Sequence, residues 1–414
     1  MDRAITRALA ALLAYCLATS VAMAQDAGAA APPKAEAYRF AFSHSKGDKF
    51  RILSRVEETV YLDNRLSFTA EILNRIAMTV ADAAPDGSWG LLSGSFETSE
   101  RGTGSAAYVI AETYASEFKR DRLGRYEIDP KYFMPVVRDV PVFPDRELRP
   151  GDTWTAPGEE KHDFRQLGIP DPYTFPIEVR YRFEGPVRRG GKDLLAVKAS
   201  YTIFERPTRP RAYSSIYPSQ IAGYSDQVIY WDPAIGQPAA YEERFDFVFD
   251  WSNGSTREYR GTAGSDLVLA AAMDRGAIKA DVEKAVSGLP NVTVRDDEEG
   301  ITISIEDIQF EADSAALKAS EAAKIARIAE ILKRYPDRDI LVSGHAAMAG
   351  YAAGRQPLSE ARAKAVAERL ISLGAKAADR IRAVGLGDAK PIADNASEAG
   401  RARNRRVEVT ILEN

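Results

Sequence analysis

Side chains able to do chemistry are few in this sequence, and they gather in two places. The histidines are His44, His162 and His345, and the one cysteine is Cys16. That scarcity excludes thiolate zinc sites, disulfide frameworks and multi-histidine metal cages. The first place is Glu159-Glu160-Lys161-His162-Asp163, where acids crowd a histidine. A metal or acid–base site is one reading of it. A solvated polar loop is the other, and is favoured because no second histidine lies nearby in sequence. The second place lies toward the C-terminus, in Gly344-His345-Ala346-Ala347, Arg355, Leu358-Ser359 with Arg362-Ala363, and Asn404-Arg405-Arg406. Arg362, at the edge of a helix's apolar face, can grip a carboxylate bidentately. No nucleophile elbow, histidine cluster or phosphate loop occurs, so an enzyme is not expected and no cofactor or metal is implied. Carboxylates paired from distant segments are the enzymatic alternative.

The chain that must position these groups has 414 residues, 45% hydrophobic and 28% charged. That length suggests roughly two or three folded units. With 55 Lys+Arg against 60 Asp+Glu, the net charge of −5 provides no basic field for nucleic acid. The basic density from Arg401 to Arg406 therefore reads as a solvated face. At the N-terminus, two arginines precede an apolar run from Ala8 to Val21, and Ala22-Met23-Ala24 fits a small-x-small cleavage site. The run is shorter than the ~20 residues needed to span a bilayer, so 1–24 reads as a secretory signal peptide cleaved after Ala24. Cys16 leaves with it; Tyr15 stands where a lipidated cysteine needs a small residue before it. Residues 25–37, rich in Ala and Pro, read as a disordered leader. The expected address is the periplasm or cell envelope, with no transmembrane span in the mature chain.

From Tyr38 to about Ser265 the dominant period is two. Phe245, Phe247, Phe249 and Trp251 fall on one face of a strand with Asp246 and Asp250 on the other. Asn253-Gly254 then gives the strongest two-residue hairpin signal, and Asp232–Gly236 marks another turn. Further strands are expected over Lys49–Leu62, Leu66–Val80, Trp89–Phe96, Phe175–Glu184, Leu194–Phe204, Gln227–Trp231 and Ala240–Arg244. This predicts an antiparallel sandwich or open barrel in two subdomains, 38–148 and 149–270. Prolines from Asp129 to Pro176 exclude a central strand there and suggest a crossover. Residues 271–297 read as a helical joint, with a short amphipathic helix in Met273–Gly288.

Over 298–414 the order is strand, helix, strand, helix, strand. Ile301–Ile305, Ile340–Gly344, Ile381–Val384 and Arg406–Leu412 read as strands. One helix is capped at Asp313-Ser314 and runs to Tyr335; a second covers Leu358–Leu373. The chain here resembles the OmpA-like domain, which holds peptidoglycan without a covalent bond. Ile308-Gln309-Phe310, Gly344-His345, Leu358-Ser359 with Arg362-Ala363, Val384-Gly385-Leu386-Gly387, Pro391–Asn395, Gly400-Arg401-Ala402 and Asn404–Glu408 carry the resemblance. It implies a mixed four-stranded sheet with helices on one face and a periplasmic address.

The resemblance also implies a pocket for the stem peptide's diamino acid, built from an aspartate three residues after the first glycine and from the arginine of the helix. Here Ala347 stands at the aspartate position, Arg355 at a position usually Asn, and Arg362 is kept. His345, Ala346, Ala347, Arg355, Arg362 and Arg405 are thus the candidate ligand-binding residues of a degenerate peptidoglycan pocket. His345 reads as a satisfied strand-end residue rather than a catalyst, and Arg405 reads equally as a brace for the last strand against a carboxylate such as Asp388 or Asp394. Expected partners are a stem peptide held weakly, or envelope proteins. Alternatively the β region captures an apolar or peptide ligand and the C-terminal domain is a scaffold.

Overall fold

The computed structural model describes residues 36–413 except 103, 166–168, 170–171, 208–215, 269–272, 311–314, 316 and 350. The signal peptide, Cys16, nearly all of the leader and the Asp313-Ser314 cap therefore lie outside the described residues. The β region contains β1 (Lys49–Leu62), β2 (Arg65–Ala83), β3 (Trp89–Arg101), β4 (Tyr108–Asp121), β5 (Tyr126–Ile128) and β6 (Val137–Arg138). It continues with β7 (Thr153–His162), β8 (Tyr173–Arg189), β9 (Lys192–Glu205), β10 (Pro218–Asp232), β11 (Gln237–Trp251) and β12 (Thr256–Val268). All neighbours are antiparallel. Because β1 pairs with both β2 and β12, the strands before and after residue 148 share one open, curled sheet.

Local chemistry explains the hairpins. Asp63 and Asn64 both adopt positive φ (49° and 61°) between β1 and β2, as a type I′ turn requires. Gly254 does so (85°) between β11 and β12, at the expected Asn-Gly. In β8, Phe175, Ile177, Val179, Tyr181 and Phe183 alternate inward, as a half-buried strand must.

The proline-rich stretch departs from expectation, because β7 carries Pro157 and β8 begins within it with Pro176; beyond the stretch, β8 also carries Pro186. Each is paired on one side only. Pro157 faces Glu178 of β8 while β6 reaches only Glu159 and Glu160. Pro176 lies beyond the β9 pairing, and Pro186 beyond the β7 pairing. A missing N–H costs no ladder bond on a side that has no ladder.

The C-terminal region comprises α1 (Arg275–Val286), β13 (Val292–Asp297), β14 (Gly300–Glu306), α2 (Ala322–Leu332) and β15 (Ile340–Gly344). Then come α3 (Ala352–Ser372), β16 (Ile381–Gly385), α4 (Glu398–Asn404) and β17 (Arg406–Leu412). The sheet order is β13-β14-β17-β15-β16, parallel only between β15 and β16. This is the expected mixed four-stranded sheet with β13 added as an edge strand, inside the stretch read as a joint. Ile301, Ile303, Ile305, Ile325, Ile328, Val342, Val366 and Leu370 fill its core. The free edge of β16 pairs in parallel with the start of β4, Arg382 with Tyr108 and Ala383 with Val109. The two sheets are therefore continuous, and Ala107 joins the C-terminal core.

Candidate functional site

The candidate pocket is assembled where three loops leave the C-terminal sheet. At Gly344, the last residue of β15, an added Cβ would lie 2.0 Å from the Ser359 carbonyl oxygen. Only glycine lets the strand come this close to α3. From Ser359 the hydroxyl donates to the Gln356 carbonyl (2.8 Å) and accepts from the Gly387 N–H (2.9 Å). Gly387 has φ +50°. Its carbonyl accepts from the Ala346 N–H at 2.7 Å, while Leu386 N–H donates to the Gly344 carbonyl at 2.9 Å. The loop after β15 and the loop after β16 are thereby locked side by side.

Asn404, fully buried at the end of α4, ties in the third loop. Its Oδ1 accepts from Ile392 N (2.8 Å) and Ala393 N (3.0 Å), and its Nδ2 donates to Ala393 O (2.8 Å) and Asn395 Oδ1 (3.0 Å). Asn395 Oδ1 also accepts from Met348 N at 3.0 Å. The residue after Ala347 is thus held by a chain of amides. Ser359, Asn395 and Asn404 all fall inside motifs that signal the fold, yet their positioning role is invisible until the loops meet.

Six candidate residues surround this junction, and they divide by role. His345 is buried, its N–H donates to the Arg406 carbonyl (2.9 Å), and its Nε2 lies 3.4 Å from Glu408. Burial pushes its pKa down, so at neutral pH it is uncharged. Burial alone would raise the Glu408 carboxyl. Bonds from its buried neighbours outweigh this and hold it well below the usual range, with Arg406 at 2.6 Å and Arg295 at 3.0 Å. His345 is thus fixed at the strand end through its backbone, while neither ring nitrogen makes a hydrogen bond. Ala346 contributes its backbone, and Ala347 is buried and apolar.

Arg355 is committed to Ala349 O (3.1 Å) and to Asp388 (2.5 Å). Arg405 pairs with Glu398 at 2.8 Å and with Asp307 at 3.6 Å, rather than with Asp388 or Asp394. Those two are engaged elsewhere, by Arg355 and by the Ala396 N–H. Arg362 differs from both. Its guanidinium lies 4.8 Å over the Phe310 ring, and its Nε is buried with no hydrogen-bond partner. Burial and the charge of Arg405 lower its pKa. No carboxylate forms an ion pair with it among the described residues; Glu311 and Asp313 lie outside them. Exposed Met348 and Tyr351 (56% and 82%) flank the junction.

The other sequence candidate is not a solvated loop. Glu160, Lys161 and His162 end β7, with Glu160 and Lys161 buried. His162 Nε2 lies 2.9 Å from Glu160, and the imidazole packs among Phe164, Phe175, Phe247 and Phe249. Alternation along the strand, unreadable through its charged sequence, turns Glu160 and His162 inward. No group of three or more His, Cys, Asp or Glu among the described residues is placed to hold a metal ion.

A loop junction on a mixed sheet backed by helices defines an α/β module. Residues 309–405 are an OmpA family domain. Over 144 residues the chain is 36% identical to outer membrane porin F of Pseudomonas aeruginosa, covering 33% of this chain and 41% of that protein. It is 41% identical over 104 residues to the peptidoglycan-binding protein ArfA of Mycobacterium bovis, covering 25% of this chain and 32% of ArfA. The chain thus spans less than half the length of either relative. A solved structure of the cell wall anchor of the T6SS from Pseudomonas aeruginosa is 36% identical, with 33% of this chain and 96% of that chain covered and a TM-score of 0.28. No helix among the described residues is long and apolar enough to cross a membrane.

Proposed function

We propose that this is a non-enzymatic protein of the periplasm and cell envelope, in which an OmpA-like domain contributes to wall or outer-membrane organisation while binding diaminopimelate weakly. One observation carries the reading. Arg362 keeps a guanidinium with a free Nε in the pocket, while the position facing the ligand's cationic end is Ala347. The identity to a relative named for peptidoglycan binding supports the wall as the ligand class. Removing one member of a desolvated charge pair costs about 2–5 kcal/mol, roughly thirty- to several-thousand-fold in affinity. A micromolar grip, near −8 kcal/mol, falls toward millimolar.

Sedimentation with purified peptidoglycan tests this, using the chain without residues 1–24 beside its Ala347→Asp variant. The expected result is weak retention of the natural protein and at least tenfold stronger retention of the variant. Tight retention of the natural protein, unchanged by the substitution, overturns the proposal. A second reading makes the β region a ligand-capturing module, and an apolar cavity within its curl favours it.

A further inference from the structure

The curl of the β region brings β4 across to β11, where an Arg120 N–H donates to Gln237 Oε1 at 2.8 Å. On one side of this bridge lies the aromatic core around Phe40, Phe143 and Trp231. On the other lies a separate small cluster of Met78, Leu92, Phe96 and Phe118. Between them is a cavity of about 270 Å³, with that small cluster, Ile52 and Ile76 on one wall and Arg120 and the polar Gln227, Gln237 and Tyr241 also lining it. That volume is at the small end for ligand pockets, suited to one chain rather than two.

Arg120 gives the cavity its chemistry. The side chain is 8% exposed, its guanidinium carbon lies 3.9 Å over the Phe42 ring, and its Nε has no hydrogen-bond partner. No carboxylate forms an ion pair with it among the described residues. His44, buried nearby, is pushed down to about 4 by burial and then by the charge of Arg120, so it is neutral and adds no second positive charge. The carboxylate that does line the cavity, Glu243, is held instead by Ser225 (2.6 Å) and Gln227 (3.3 Å). Burial raises the pKa of Glu243 and favours its uncharged form. A buried guanidinium that meets Gln237 and Tyr126 but no carboxylate carries a desolvation cost, and the apolar part of the cavity offers no good place for water. An anion at Arg120 removes the first penalty, and an attached hydrocarbon chain fills the second space.

We propose that the β region binds a single-chain anionic amphiphile of the fatty-carboxylate class. Its carboxylate sits on the Nε edge of Arg120 and its chain lies along Met78, Leu92, Phe96 and Phe118. A planar carboxylate matches the planar donor fork, whose one face Phe42 already covers. The proposal deepens the ligand-capturing reading and is independent of wall binding, so sedimentation with peptidoglycan and the titration below fail separately.

The test is fluorescence titration of the chain without residues 1–24 with cis-parinarate, then displacement by palmitate, methyl palmitate or hexadecyl phosphate. Saturable uptake is expected, with palmitate displacing at least tenfold better than its uncharged ester. Arg120→Gln is expected to make acid and ester equivalent, and Met78→Trp, which fills the cavity, to abolish uptake. Circular dichroism establishes that each variant is folded. Because the acid–ester comparison is made on the natural chain, it stands even where a variant misfolds. Absence of saturable uptake, or equal displacement by acid and ester, overturns the proposal. Better displacement by hexadecyl phosphate than by palmitate overturns the carboxylate assignment.

Discussion

Asn404 holds the pocket's order through four hydrogen bonds made by a single buried amide. Truncation to alanine leaves the Ile392 and Ala393 N–H groups and the Ala393 carbonyl without their partner. With those groups half-buried, Asn404→Ala is expected to cost about 2 kcal/mol, read as a lower urea midpoint. Faster hydrogen exchange at the Met348 amide should accompany it, since Asn395 loses its anchor. Glu58 makes a separate residue-scale prediction. Burial, then the charge of Glu100, raises its pKa to about 7. Its native pKa exceeds the unfolded value, so the folded state binds more protons between about 4.5 and 7 and stability falls as pH rises through that window. Glu58→Gln should flatten that slope and raise stability at pH 8 by on the order of 1–2 kcal/mol, discounted for partial exposure. Thermal unfolding measured at pH 5 and pH 8 checks it. At this scale the sequence offers the candidate residues by type, but not their partners. That Arg405 meets Glu398 and Asp307 depends on how α4 is set against β14, which no spacing encodes.

Among the elements, legibility follows locality. The bounds of β1, β15 and β17 agree with period and composition alone, and Asn-Gly marks its hairpin. β4 and β7 escape notice because charged or proline residues interrupt their alternation; their neighbours in the sheet supply what propensity lacks. The joint between the sheets is likewise non-local. There Arg382 of β16 meets Glu97 of β3 at 2.8 Å, and Arg380 meets Asp339 at 2.6 Å. Arg75 of β2 lies 3.7 Å from both acids. Burial first, and Arg382 second, press Arg75 down to about 10, so this cluster is short of negative charge already. Asp339→Ala leaves three guanidinium groups against one carboxylate. The expected cost is about 3 kcal/mol, seen in calorimetry as a lowered transition in which the β region and the C-terminal region unfold separately. An unchanged single endotherm would show that strand pairing alone joins them.

For the whole molecule, the net charge argues against a basic nucleic-acid field, and the motif series identifies the C-terminal quarter. The curl of the β region was out of reach. It depends on pairings such as Val56 with Ala263 and on the Arg120–Gln237 bridge, contacts between residues far apart in the chain whose faces alone are readable from period. The cavity inherits that invisibility, since neither Arg120 nor Met78 belongs to any motif. The pairing of β16 with β4 has a mechanical corollary. A pull applied to the C-terminal module passes through ion pairs into β2 and β3 and through the backbone pairing of β16 into β4. The same strand presents Phe118 and Arg120 further along its length, so tension at one end of the protein bears on the geometry of the cavity at the other.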